Sequence, residues 1–100
     1  MLKAEISIIL PTLNEEENIG ILLPKIQDTL KEFTFEVIVV DDNSTDKTRH
    51  ISDRFFAINN NGFVLHRTSS SGLSSAIYDG FNIASGNFLI VMDADLQHDE

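Results

Sequence analysis

At 100 residues and 42% hydrophobic content, the chain holds at most one domain, with enough apolar surface for a real core and none of the bias of a disordered segment. Sixteen acids against seven bases give a formal charge of −9, which opposes nucleic-acid binding and unaided docking on anionic membranes, since both need clustered Lys or Arg. The absence of Cys excludes disulfides and thiolate metal sites. The longest apolar stretches, Ile8–Leu10, Val37–Val40 and Phe88–Met92, fall far short of the roughly 18 residues of a membrane span. Met1–Leu10 carries neither the basic start nor the cleavage pattern of a secretory signal, so a cytoplasmic protein is expected.

Apolar runs alternate with longer amphipathic stretches. Glu5–Leu10 reads as a first strand. A helix is expected over Glu15–Lys31, with Asn14 as its N-cap, a stripe of Ile19, Leu22, Leu23, Ile26 and Leu30, and a kink at Pro24. Phe35–Val40 is a second strand, rich in β-branched residues. A second helix is expected over Thr45–Phe56, capped by Ser44 or Thr45, with Thr48, Ile51 and Phe55 inward. Phe63–His66 reads as a short third strand. A third helix over Gly72–Ala84 would pack through Leu73, Ala76, Ile77, Gly80, Phe81 and Ala84 before Phe88–Met92 forms the fourth strand. Near-continuous hydrophobicity in the first, second and fourth strands suggests cover on both faces. The order β-α-β-α-β-α-β therefore predicts a Rossmann-like, mainly parallel sheet with helices on both faces and a site at its carboxyl edge.

Asp93-Ala94-Asp95 is the sharpest chemical feature. Residues two apart in an extended segment point the same way, so both carboxylates can converge on one hard divalent ion such as Mg²⁺ or Mn²⁺. The plainer reading is turn chemistry at a strand exit. Asp41-Asp42-Asn43-Ser44 leaves the second strand, where a short acid can meet a base or ribose, or simply cap the following helix. Pro11 rigidifies the first exit, and Asn14 or Glu15 can cap or line a nucleotide slot. Arg67 leads through Thr68-Ser69-Ser70-Ser71 to Gly72 at a helix start, a place that suits a diphosphate or is an ordinary exposed loop. His66 and His98 have no partner at metal-ligand spacing.

Taken together, Ile9 through Asn18, Val39 through Asp46, Arg67 through Ala76, Ala84 through Asn87 and Met92 through His98 resemble glycosyltransferase family 2, and most closely its dolichol-phosphate mannose synthase branch of polyprenyl-phosphate sugar transferases. The resemblance covers essentially the whole chain. It implies the N-terminal half of a GT-A fold, with residues 1–100 as the nucleotide-sugar-binding half and the acceptor-binding half absent. It also implies that Pro11, Leu13, Glu15 and Asp42 surround base and ribose, with Arg67 on the same edge. Asp93, Asp95 and Gln97 would hold a Mg²⁺ or Mn²⁺ ion and the diphosphate, with Asp93 and Asp95 as the catalytic pair. The implied reaction is inverting transfer of a hexose, mannose foremost, from GDP-mannose or UDP-glucose to a polyprenyl phosphate, in a parent peripheral to the cytoplasmic membrane face. The branch usually has an aromatic where Leu13 stands and a proline where Asp99 stands. The chain alone is expected to be inactive, and to self-associate through its fourth strand. A sugar-1-phosphate nucleotidyltransferase, a phosphoryl-receiver module and a non-catalytic nucleotide-binding fragment are the competing readings. The first favours a Gly-rich basic loop where Pro11-Thr12-Leu13-Asn14-Glu15 stands, and the second needs paired acids there.

Overall fold

The computed structural model describes residues 4–68 and 72–94. Strands β1 (Ile6–Thr12), β2 (Phe35–Asp41), β3 (Gly62–His66) and β4 (Phe88–Val91) alternate with helices α1 (Glu16–Thr29), α2 (Thr48–Asn59) and α3 (Leu73–Ile83). The strands form one sheet in the order β3-β2-β1-β4, and every pairing is parallel. The expected Rossmann-like α/β architecture is therefore the one observed.

The period of two along each strand divides the core. Ile8, Leu10, Val37 and Val39 pack with Ile19, Leu22, Leu23 and Ile26 of α1 and Phe56 of α2. Ile9, Ile38 and Val40 face the other way, onto Ala76 of α3. The chain steps from β1 outward to β2 and β3 with α1 and α2 on one face, then returns to β4 with α3 on the other. That reversal of strand order opens a crevice between the exits of β1 and β4, the usual ligand position in such sheets.

Gly80 sets how closely α3 approaches. A Cβ there would lie 2.6 Å from Ile9 Cγ2 and 3.2 Å from Val40 Cγ2, so any side chain would push α3 off the sheet.

Several local expectations are corrected. Helix α1 has its N-cap at Glu15, not Asn14, and continues past the exposed Pro24 to Thr29 as one element. Helix α2 starts at Thr48, because the hydroxyl of Ser44 is bonded back to Asp41 and that of Thr45 to the distant Asn14 rather than to the first turn. Its buried residues are Thr48, Ser52 and Phe56, with Ile51 and Phe55 half-buried. In α3, only Ala76 and Gly80 are buried, and Leu73 and Phe81 stand 65% and 42% exposed. Strand β4 is also uncovered: it pairs with β1 alone among the described residues, and Phe88, Leu89, Ile90 and Val91 are all exposed. The expected cover on both faces holds for β1 and β2 only.

Candidate functional site

Backbone bonds continue the sheet past the strand ends and fix where each exit begins. Asp42 N–H donates to the Thr12 carbonyl at 2.9 Å, Arg67 N–H to the Asp41 carbonyl at 2.9 Å, and Met92 N–H to the Ile9 carbonyl at 3.0 Å. Asp42, Arg67 and Asp93 therefore leave the same edge, as the strand order requires.

The two adjacent acids at the end of β2 have different work. Asp41, 2% exposed, accepts from Thr12 Oγ1 at 2.9 Å, Ser44 Oγ at 2.6 Å and Ser44 N–H at 3.0 Å. It shapes its own loop. Asp42 points to the site.

The loops after β1 and β2 cap one another. Asn14, in the left-handed region at φ 56°, accepts from the Thr45 and Asp46 N–H groups at 2.9 and 3.3 Å, and its own N–H donates to Ser44 Oγ at 2.9 Å. Glu15 N–H donates to Thr48 Oγ1 at 2.7 Å, Glu16 N–H to Asp46 Oδ2 at 3.1 Å, and Lys47 N–H to Glu16 Oε1 at 2.9 Å. Burial raises the Asp46 carboxyl, but donors from Thr48, Glu16 and its own backbone outweigh that and hold it below its usual range. Each loop thus supplies the helix-start bonds the other lacks.

This rigid pair forms one wall of a cavity of about 260 Å³, lined by Pro11, Thr12, Leu13, Glu15 and Asp42, by Gly72, Leu73 and Ala76 of α3 and its start, and by Asp93. Five of the sequence-predicted positions, Pro11, Leu13, Glu15, Asp42 and Asp93, meet there. Asp95, Gln97 and His98 lie outside the described residues, as do Ser69–Ser71.

Arg67 is brought to the same edge but is not an exposed loop cation. Its side chain is 7% exposed. Nε donates to Asp42 Oδ1 at 3.0 Å, and Nη1 donates to Asp79 Oδ2 at 3.0 Å and Ser75 Oγ at 3.1 Å. Nη2 is buried without a hydrogen-bond partner among the described residues. A guanidinium held between two carboxylates has most of its charge matched within the protein. What remain are the two N–H bonds of the buried Nη2. Arg67 also borders a second cavity of about 440 Å³, with His66, Ser75 and Asp79. His66 Nε2 lies 3.7 Å from Asp53 Oδ2 on α2, away from the acidic cavity. Asp79 and Ser75 were not singled out in the sequence, although their spacing of four places both on one helix face beside the exit of β3.

Strand order, crevice and acid-lined cavity define a Rossmann-like α/β ligand-binding sheet. Residues 7–100 match the sequence profile of glycosyl transferase family 2, and the chain belongs to that family. Over 98 residues it is 42% identical to a dolichol-phosphate mannosyltransferase of Pyrococcus furiosus, covering 94% of this chain and 26% of that protein. Its fold superposes on S. aureus TarS in complex with UDP-GlcNAc at a TM-score of 0.80 and 35% identity, covering 91% of this chain and 26% of the other. It superposes on the mannosyltransferase PcManGT of Pyrobaculum calidifontis, in complex with GDP-Man and Mn²⁺, at 0.79 and 26% identity, covering 95% and 28%. These are GT-A glycosyltransferases, and the chain spans about a quarter of their length.

Proposed function

We infer that residues 1–100 form the donor-binding half of a metal-dependent, inverting glycosyltransferase that moves a hexose, mannose foremost, from a nucleotide-diphosphate sugar to a polyprenyl phosphate. The observation that carries the reading is the cavity at the strand-order switch, where Pro11, Leu13, Glu15, Asp42 and Asp93 converge. The similarity to a dolichol-phosphate mannosyltransferase and to structures holding GDP-Man or UDP-GlcNAc supports both donor and acceptor class.

In this reading Leu13 and Pro11 supply the apolar wall for a base, and Asp42 accepts from base or ribose. Uracil carries a ring N–H beside a carbonyl, as does guanine, and this order complements a carboxylate backed by an Arg N–H. Asp93 opens the exit of β4 toward the same cavity. Its hard carboxylate oxygens suit Mg²⁺ or Mn²⁺, with Asp95 and Gln97 as the further ligands. A bound ion of this kind offsets charge on a departing diphosphate. The acceptor is a phosphate monoester, largely ionised at neutral pH, so the displacement at the anomeric carbon asks little of a general base. Without the acceptor-binding half, residues 1–100 bind donor and do not turn it over. In the parent the reaction belongs at the cytoplasmic face of a membrane, where a polyprenyl acceptor resides; no helix among the described residues is long and apolar enough to cross one.

Titration calorimetry of the chain with GDP-mannose, UDP-glucose and UDP-GlcNAc, with and without Mn²⁺, tests the reading. Metal-enhanced binding of at least one donor is expected. A folded chain that binds none of them refutes it.

A further inference from the structure

We propose that Thr48 and Asn14 are positioning residues for donor binding, fixing where the Glu15 carboxylate stands across the cavity from Asp42; this rests on the donor-binding reading above. Glu15 and Asp42 line that cavity from two different loops, so their separation is set by whatever ties the loops together. Thr48 makes one tie. Its buried hydroxyl accepts from the Glu15 N–H at 2.7 Å and donates to Asp46 Oδ1 at 2.6 Å. Asn14 makes the other. Its side-chain carbonyl accepts from the N–H groups of Thr45 and Asp46, while its own N–H donates to Ser44 Oγ, which donates in turn to Asp41 Oδ1 at 2.6 Å. Asp41 is peptide-bonded to Asp42, so the second tie ends beside the opposing carboxylate.

Each residue type suits its task. A hydroxyl can accept and donate at once, and valine has nearly the same shape with neither capacity. Asn is among the few residues with a side chain that enter the left-handed region without large strain, and Asn14 sits there at φ 56°. Glycine matches that backbone but brings no acceptor. A carboxylate already in place meets a ribose hydroxyl directly, whereas an untied loop must be ordered during binding, a cost that appears as lost affinity. If the ties served only to complete the helix starts, their loss would lower stability and leave the affinity of folded molecules unchanged. Acting through Glu15 requires more: removing a tie weakens nucleotide binding, and does so only while the Glu15 carboxylate is present.

The test measures binding of GDP and UDP, with Mn²⁺, to the chain and to its Thr48→Val, Thr48→Ser, Asn14→Gly and Glu15→Ala variants, with circular dichroism confirming each fold. Thr48→Val and Asn14→Gly should each weaken binding of the tighter nucleotide about fivefold, the scale of ordering one loop side chain. Thr48→Ser keeps the hydroxyl and should stay within about twofold of wild type. Combined with Glu15→Ala, which itself weakens binding, the valine and glycine changes should each add less than about twofold. Asn14 is exposed, so its glycine variant carries the test should the buried valine fail to fold. Wild-type affinity in a folded valine, glycine or Glu15→Ala chain, a serine variant no better than valine, or equal losses with and without the Glu15 carboxylate would overturn the proposal. A folded wild-type chain that binds no nucleotide would instead remove the donor-binding reading beneath it.

Discussion

Replacing Arg67 by alanine should destabilise the chain far more than replacing Asp79, although each of its carboxylate partners lies 3.0 Å away. The difference comes from burial. Arg67 and Asp42 are 7% and 10% exposed, so removing the guanidinium takes the cation from a carboxylate that water barely reaches, and breaking such a pair from one side costs about 3–5 kcal/mol. Asp79 is 42% exposed. Its pairing is screened by solvent and worth about 1 kcal/mol or less, and Arg67 keeps Asp42 when it is gone. Since a domain of this size holds only about 5–15 kcal/mol in total, Arg67→Ala approaches the limit of folding, whereas Asp79→Ala stays folded. Urea unfolding followed by far-ultraviolet circular dichroism measures both, which suits a chain with no Trp and one Tyr. Equal losses in the two variants, or a loss below about 1 kcal/mol for Arg67→Ala, would refute the burial argument.

Glu36 provides a pH test. Burial raises its carboxyl, but donors from Ser7 and from the backbone and side chain of Ser85 outweigh that and hold it below its ordinary 4.5, so its contribution is complete above that value and is lost as pH falls through the lower folded value. Glu36→Gln should cost about 1 kcal/mol near neutrality and converge with wild type in acid, as read by urea midpoints; a cost that persists in acid would count against it. The uncovered edge strand β4 gives the other test: sedimentation velocity should show concentration-dependent association that Ile90→Lys suppresses, and a monomer at every concentration would contradict it.

The strands were legible because each is a short apolar run bounded by turn chemistry, and their parallel order followed from the intervening helical periods. What the sequence hid lies in contacts between distant residues. Ser44 and Thr45 look like caps for α2, yet both meet Asn14, 30 and 31 residues away. Asn14 looks like the cap of α1 and instead serves the neighbouring loop. Arg67 reads as a free cation until Asp42 and Asp79, 25 and 12 residues away, are seen to hold it. Strand β4 shows the converse limit. An apolar run indicates that a strand favours burial, and says nothing about which element supplies it.

The charge pattern around the cavity bears on how an anionic donor can enter. Three of its lining residues are acids, Glu15, Asp42 and Asp93, and none of the described ones is Lys or Arg. Arg67 stands behind Asp42 and is already matched by two carboxylates. A nucleoside presents few charges and suits such a wall, because its ring N–H and ribose hydroxyls donate to carboxylates. A diphosphate brings negative charge into an acidic setting and needs a counter-charge that these side chains do not provide. In the proposed function a divalent ion at the exit of β4 would meet that need, and of its proposed ligands Asp93 is the one among the described residues. The proposed reading thus divides the cavity by chemistry: a carboxylate acceptor at the β2 exit for the neutral end of the donor, and a cation at the β4 exit for its anionic end. The metal dependence proposed for donor binding follows from this division, and it belongs to the diphosphate rather than to the base.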